Sequence, residues 1–120
     1  MHRRWWPLVA VGTVVLVFSL VPLGGGDSGS LAVAGVGVDK LLHVVDYAAL
    51  SFALGYAVGR RDRTTLLAVF VAAVAVGGAV ELLQGVVPTR HPSLADAAAN
   101  VVGAALGTAG WWFVGDVKQR

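Results

Sequence analysis

Four runs of mostly apolar residues dominate this 120-residue chain: Trp5–Leu23, Lys40–Val58, Leu66–Val87 and Leu94–Val114. Each is close to the ~20 residues a helix needs to cross the hydrocarbon of a bilayer. They lack the apolar–polar alternation of a membrane strand and are too long for one. Short polar links between them predict antiparallel neighbours. Hydrophobic residues make up 57% of the chain and charged residues 13%, the latter about half the share usual in a soluble domain. A soluble chain this short could not hide so much apolar surface, and a disordered one would not carry it. No cysteine is present, which excludes disulfides, thiolate metal sites and a cysteine nucleophile. The expected fold is therefore all-α: one polytopic membrane bundle over residues 1–120, with four transmembrane helices.

Charge sets the expected orientation. With both termini in the cytoplasm, the inner segments hold Arg3, Arg4, Arg60, Arg61, Arg63, Lys118 and Arg120, leaving Lys40 and Arg90 outside. This is the positive-inside pattern, and it explains the basic clusters without nucleic acid. Trp5, Trp6, Tyr56, Trp111 and Trp112 fall near the same inner boundary, where amphipathic rings anchor. A competing reading makes residues 1–34 a signal peptide cleaved after Ala32-Val33-Ala34. Its apolar core of ~17–19 residues exceeds the usual 7–15, which favours a retained first span. A Gly/Ser-rich loop, Gly24 to Val38, follows that span.

The acids are distributed the other way. Only Asp62 and Asp116 are inner, while Asp27, Asp39, Asp46, Glu81 and Asp96 fall in outer loops or outer helix ends. At ~1.5 Å per residue, His43 lies ~6 Å inside the second helix and Asp46 and Tyr47 ~10–12 Å. Glu81 lies ~9 Å inside the third helix and Asn100 ~9 Å inside the fourth. Residues three, four and seven apart share a helix face. Lys40, His43 and Tyr47 fit that spacing, as do Glu81 with Gln84 and Asp96 with Asn100. Below Asn100 the stripe runs on through Gly103, Gly107 and Gly110, bare backbone against which a neighbour can pack; Gly55 with Gly59 and Gly77 with Gly78 offer similar notches. Polar groups at one depth on three helices are best placed in a shared interior pocket, because facing lipid is costly.

This ordered set, Asp39-Lys40-x-x-His43-x-x-x-Tyr47, Glu81-x-x-Gln84, Arg90, and Asp96-x-x-x-Asn100-x-x-Gly103-x-x-x-Gly107, resembles the VanZ-like family of small membrane proteins over about residues 39–110. The resemblance implies a compact helical membrane bundle and a link to teicoplanin-type glycopeptide resistance. Asp46 departs from it, adding an acid where a small or apolar residue is expected.

Each polar residue also has a plain structural reading. Asp39 suits a helix N-cap, Lys40 a snorkelling cation, Tyr47 packing, and Glu81 a clip to Lys40 or Arg90. Ser93-Leu94-Ala95-Asp96 matches a capping box. The expected ligand-binding set is Asp39, Lys40, His43, Tyr47, Glu81, Gln84, Arg90, Asp96 and Asn100. Donors and acceptors in that set suit a lipid headgroup or a lipid-linked envelope precursor. An alternative is a membrane enzyme acting on a headgroup, with His43, Glu81 and Asp96 as its acid–base groups. A second alternative is a component of a proton-coupled transporter, for which so few helices require a homo-oligomer. No HExxH or comparable compact metal motif is present, and no cofactor is implied.

Overall fold

The computed structural model of the chain describes residues 2–20, 32–33, 36–86 and 94–119, with side chains over 3–17, 40–86 and 94–115. Four helices carry the fold: α1 (His2–Leu20), α2 (Val38–Val58), α3 (Arg63–Gln84) and α4 (Leu94–Gln119). Over Lys40–Val58, Arg63–Gln84 and Leu94–Gly115 these helices are long and apolar enough to cross a membrane, as in a multi-pass membrane protein. A short antiparallel ladder, β1 (Ala32–Val33) with β2 (Val36–Gly37), precedes α2. It adds a short hairpin ladder within the expected Gly/Ser-rich loop, and its valines suit extended backbone. The signal-peptide reading turns on Ala34, which lies outside the described residues.

Local chemistry sets the helix ends. Asp62 caps α3: its carboxylate accepts from the Thr65 backbone N–H at 3.1 Å and from the Thr65 hydroxyl at 2.7 Å. The cap starts α3 at Arg63, one turn before its apolar run. Gly59 ends α2 with φ +77° and donates its N–H to Gly55 O at 2.8 Å, the left-handed helix end that favours glycine. Gly59 is thus a helix terminator as well as the expected packing notch, since a Cβ there would lie 2.9 Å from Arg4 Nη2. α3 closes at Gln84, earlier than the expected Val87, and Gly85 donates back to Glu81 O at 3.1 Å. α4 continues past Val114 to Gln119, because a helix does not end where its apolar stretch does.

Helices α2 and α4 form the most extensive pair, and α1 packs mainly on α2. The glycine stripe of α4 makes the first contact possible. A Cβ on Gly103 would run into the Val44 carbonyl and lie 3.1 Å from Tyr47 Cβ. One on Gly107 would collide with Ser51 Oγ and the Ala48 carbonyl. Gly110, further along, meets only the edge of the Phe52 ring at 3.6 Å. The α2 backbone therefore lies directly on α4 at two successive turns. Van der Waals contact of this kind drives helix association where lipid removes the hydrophobic incentive. Tyr47 joins the remaining helices, packing with Val15 of α1 and Leu50 of α2 in the buried core. Of the expected notch on α3, Gly77 is closely packed and Gly78 faces open space.

The opposite end is held by arginines and aromatics. Trp111 of α4 fills the space over Gly55, with edge-on contacts to Phe52 at 5.7 Å and Tyr56 at 6.0 Å. Its indole N–H donates to Arg60 O at 2.9 Å. Arg61 lies across bare Gly115, stacks on Trp111 with 3.5 Å from its guanidinium carbon to the ring centre, and donates to Trp111 O at 2.9 Å. Arg4 of α1 donates to Tyr56 O at 2.8 Å and covers the Tyr56 ring. Trp111 is buried, which corrects its assignment to an interfacial girdle. Trp5, Trp6 and Trp112 are exposed, as such a girdle requires.

Two outcomes follow. Gly107→Ala is expected to lower stability by about 1–3 kcal/mol through overpacking, whereas Gly78→Ala leaves it unchanged or raises it by about 0.5–1 kcal/mol. Thermal unfolding in detergent distinguishes them. Hydrogen bonds from the Thr65 side chain and then its backbone, with Arg60 alongside, hold the Asp62 carboxyl below the usual carboxylate range. Its capping contribution is therefore complete above the unfolded value near ~3.9 and is lost as pH falls through the lower folded value. Asp62→Asn keeps a capping side chain and should remove this part of the acid dependence, read from unfolding temperatures between pH ~5 and ~3.

Candidate functional site

The sequence places polar residues at the start of α2, the end of α3 and the start of α4, and the alternating helix directions bring these three ends together. Lys40 Nζ lies 2.5 Å from Asp96 Oδ1. His43 Nε2, one turn further along α2, lies 3.7 Å from the same oxygen. Asn100, one turn below Asp96, donates from Nδ2 to Glu81 Oε1 at 3.2 Å. Gln84 is buried one turn from Glu81 on α3. Of the expected set, Lys40, His43, Tyr47, Glu81, Gln84, Asp96 and Asn100 thus come to one end of the bundle. The Asp39 side chain and Arg90 lie outside the described residues, as do His91 and the Ser93 cap.

The pairing differs from one expectation. The clip between Glu81 and Lys40 does not form, because the Lys40 ammonium sits on Asp96. Glu81 instead accepts from a neutral amide. Asp39 is the second residue of α2, whose helix begins at Val38, and so is not the residue before it. Asp96 is in the first turn of α4, where the helix dipole favours an acid, and it is 8% exposed. A carboxylate so placed needs a cation or donors to stay charged, and Lys40 meets that need.

Beneath the charges the site has a floor. Tyr47 and Asn100 both close on the bare Cα of Gly77: a Cβ there would lie 3.1 Å from Asn100 Nδ2 and 3.3 Å from Tyr47 Cε1. Tyr47 is 1% exposed and Asn100 3%. The Tyr47 hydroxyl and Asn100 Oδ1 are buried without a hydrogen-bond partner among the described residues. An unmet buried polar atom costs about 1–3 kcal/mol, so each of the two calls for a polar partner. Sequence spacing gave Gly77 only as a packing notch. Its role as the gap between Tyr47 and Asn100 depends on how three helices meet.

Asp46 points elsewhere. It lines an apolar groove of about 210 Å³ between α1 and α2, with Ala10, Val11, Val14, Val15, Val45 and Ala49. It does not join the cluster around Asp96. Among the described residues, no group of three histidine, aspartate or glutamate side chains is placed to hold a metal ion. The cluster offers an ammonium, an imidazole, two carboxylates, two amides and a phenol, a set able to hold a ligand that both donates and accepts.

Removing one partner of the Lys40–Asp96 pair leaves a charge in a largely dry site. Lys40→Met or Asp96→Asn is expected to cost about 1–3 kcal/mol, and the double variant Lys40→Met/Asp96→Leu less than the sum of its single changes. A double-mutant cycle on unfolding in detergent measures the coupling.

Comparison with protein-family models, with curated proteins and with solved structures gives no match for this chain.

Proposed function

We propose that the chain is a four-span membrane protein whose polar cluster binds the headgroup of a lipid or of a lipid-linked envelope component. The observation that carries this reading is the pair of buried, unpartnered atoms, Tyr47 OH and Asn100 Oδ1, beneath the Lys40–Asp96 pair. A headgroup hydroxyl or amine entering there would supply a partner for either atom. Glu81, held by one neutral amide, supplies an acceptor for an amine, and Lys40 and His43 supply donors for a phosphate or carboxylate. The acyl chains would remain among the apolar helix faces.

Orientation follows from charge. Arg3, Arg4, Arg60, Arg61 and Arg63 belong to the end opposite the cluster, and the positive-inside rule assigns that end, with both termini, to the cytoplasm. The cluster then lies in the outer leaflet of the cell membrane. The VanZ-like resemblance extends the proposal to lipid-bearing glycopeptides of the teicoplanin type, met at the outer face.

Lipid analysis of purified protein tests the reading. Wild type is expected to co-purify a lipid that Glu81→Gln and Tyr47→Phe each reduce about three- to tenfold, equivalent to one hydrogen bond apiece, without change in the lipid's chemistry. Equal retention by wild type and both variants, all folded, sinks the proposal. Conversion of the lipid, abolished by His43→Ala, replaces binding with catalysis.

A further inference from the structure

A second feature lies at the far end of the bundle from the polar cluster. Helices α3 and α4 leave an open groove of about 450 Å³, lined by Leu66, Leu67 and Phe70 of α3 and by Ala105, Thr108, Ala109 and Trp112 of α4. On each helix these residues have the i, i+3, i+4, i+7 spacing of a single face, α4 supplying all four positions. On α3 the position one turn before Leu66 and Leu67, which completes the same face, is Arg63. The single hydroxyl in the groove, Thr108 Oγ1, already donates to Ala104 O at 2.8 Å. The groove wall is therefore apolar, and the helical period carries its α3 face on to Arg63, one turn beyond the lining residues.

That cation differs from its neighbours. Arg60 pairs with Asp62 at 3.2 Å. Arg61 is committed to the ring and carbonyl of Trp111, and Arg4 to Tyr56. Arg63 is exposed and has no ion pair or hydrogen bond to any described residue. The nearest acid in sequence, Asp62, is occupied by Arg60 and Thr65. Trp112, half-exposed on the opposite wall, suits the headgroup boundary.

The geometry points to a binding site for an anionic lipid, with one acyl chain in the α3–α4 groove and the headgroup phosphate on Arg63. The volume is that of an ordinary ligand pocket. An unpaired guanidinium favours a phosphate through two parallel hydrogen bonds. A zwitterionic lipid offers the same phosphate but brings a competing cation, so the site selects for net negative charge. The polar cluster takes no part in this site, and neither proposal rests on the other.

Delipidated full-length protein in detergent, titrated with phosphatidylglycerol or with phosphatidylcholine of the same chains and followed by native mass spectrometry, tests it. Wild type is expected to prefer the anionic lipid about tenfold, and Arg63→Gln to lose most of that preference. Arg63→Lys keeps part of it. Ala105→Phe, which fills the groove from α4, is expected to weaken binding of both lipids. Arg3→Gln, an exposed arginine at the same end outside the groove, leaves binding unchanged. Unfolding temperatures of all variants serve as the folding control. Equal losses in Arg63→Gln and Arg3→Gln would show only diffuse attraction to a basic surface and overturn the site. So would unchanged binding by folded Ala105→Phe, or no preference between the lipids in wild type.

Discussion

The polar end of the bundle depends on backbone contact between α2 and α4. Gly103 and Gly107 let the Val44 and Ala48 carbonyls approach α4 at a distance no side chain would allow. Nothing in lipid pushes two apolar helices together, so their association depends on close fit. The fit also fixes register. Gly103 follows Asn100 by three residues and Asp96 by seven, so all three share one face of α4. Once Gly103 sits on Val44, Asp96 is carried to Lys40 and His43, and Asn100 to the level of Tyr47. The ion pair is thus a consequence of packing below it. Its own formation is close to neutral in a partly dry site, and it serves to select this register over a slipped one.

The two ends solve the burial of polar groups differently. At one, charges meet charges and amides. At the other, acids are scarce, and the arginines satisfy themselves on main-chain carbonyls and ring faces: Arg4 on Tyr56, Arg61 on Trp111. Glycine makes room at both. Bare Gly115 admits Arg61 as bare Gly107 admits Ser51, and bare Gly55 admits Trp111. Basic residues outnumber acids at this end.

Much of this was legible in spacing. The stripes Lys40–His43–Tyr47 and Asp96–Asn100–Gly103–Gly107 come directly from the helical period, and each helix presents the face they predict. Which acid would take Lys40 was not legible. Glu81 and Asp96 have similar depths on different helices, and the choice turns on helix rotations that no single-helix pattern contains. Asp46 shows the converse. It is three residues from His43 but six from Lys40, so it falls off the shared face and turns toward α1. Trp111 misled because an indole near a helix end suits an interface in general, and only the gap at Gly55 on another helix makes it core. Gly59 has a second role that its spacing does not show: its φ of +77° ends the helix there, while the space over it takes Arg4.

Tyr47 carries both packing and an unmet polar atom. Its ring is wanted for packing, since it meets α1 at Val15, α3 at Gly77 and α4 at Gly103. Phenylalanine would serve that purpose without leaving a hydroxyl unmet. Asn100 poses the same question: its amide N–H holds Glu81, yet its carbonyl oxygen is buried without a partner among the described residues. A purely structural seam on α3 and α4 would close with apolar residues of similar size, which is often no less stable than a buried polar pair. Two unmet buried polar atoms therefore work against the bundle unless something polar reaches them. A water would relieve the local cost. A headgroup of the kind proposed would relieve it and also meet Glu81, whose partner among the described residues is the neutral Asn100 amide.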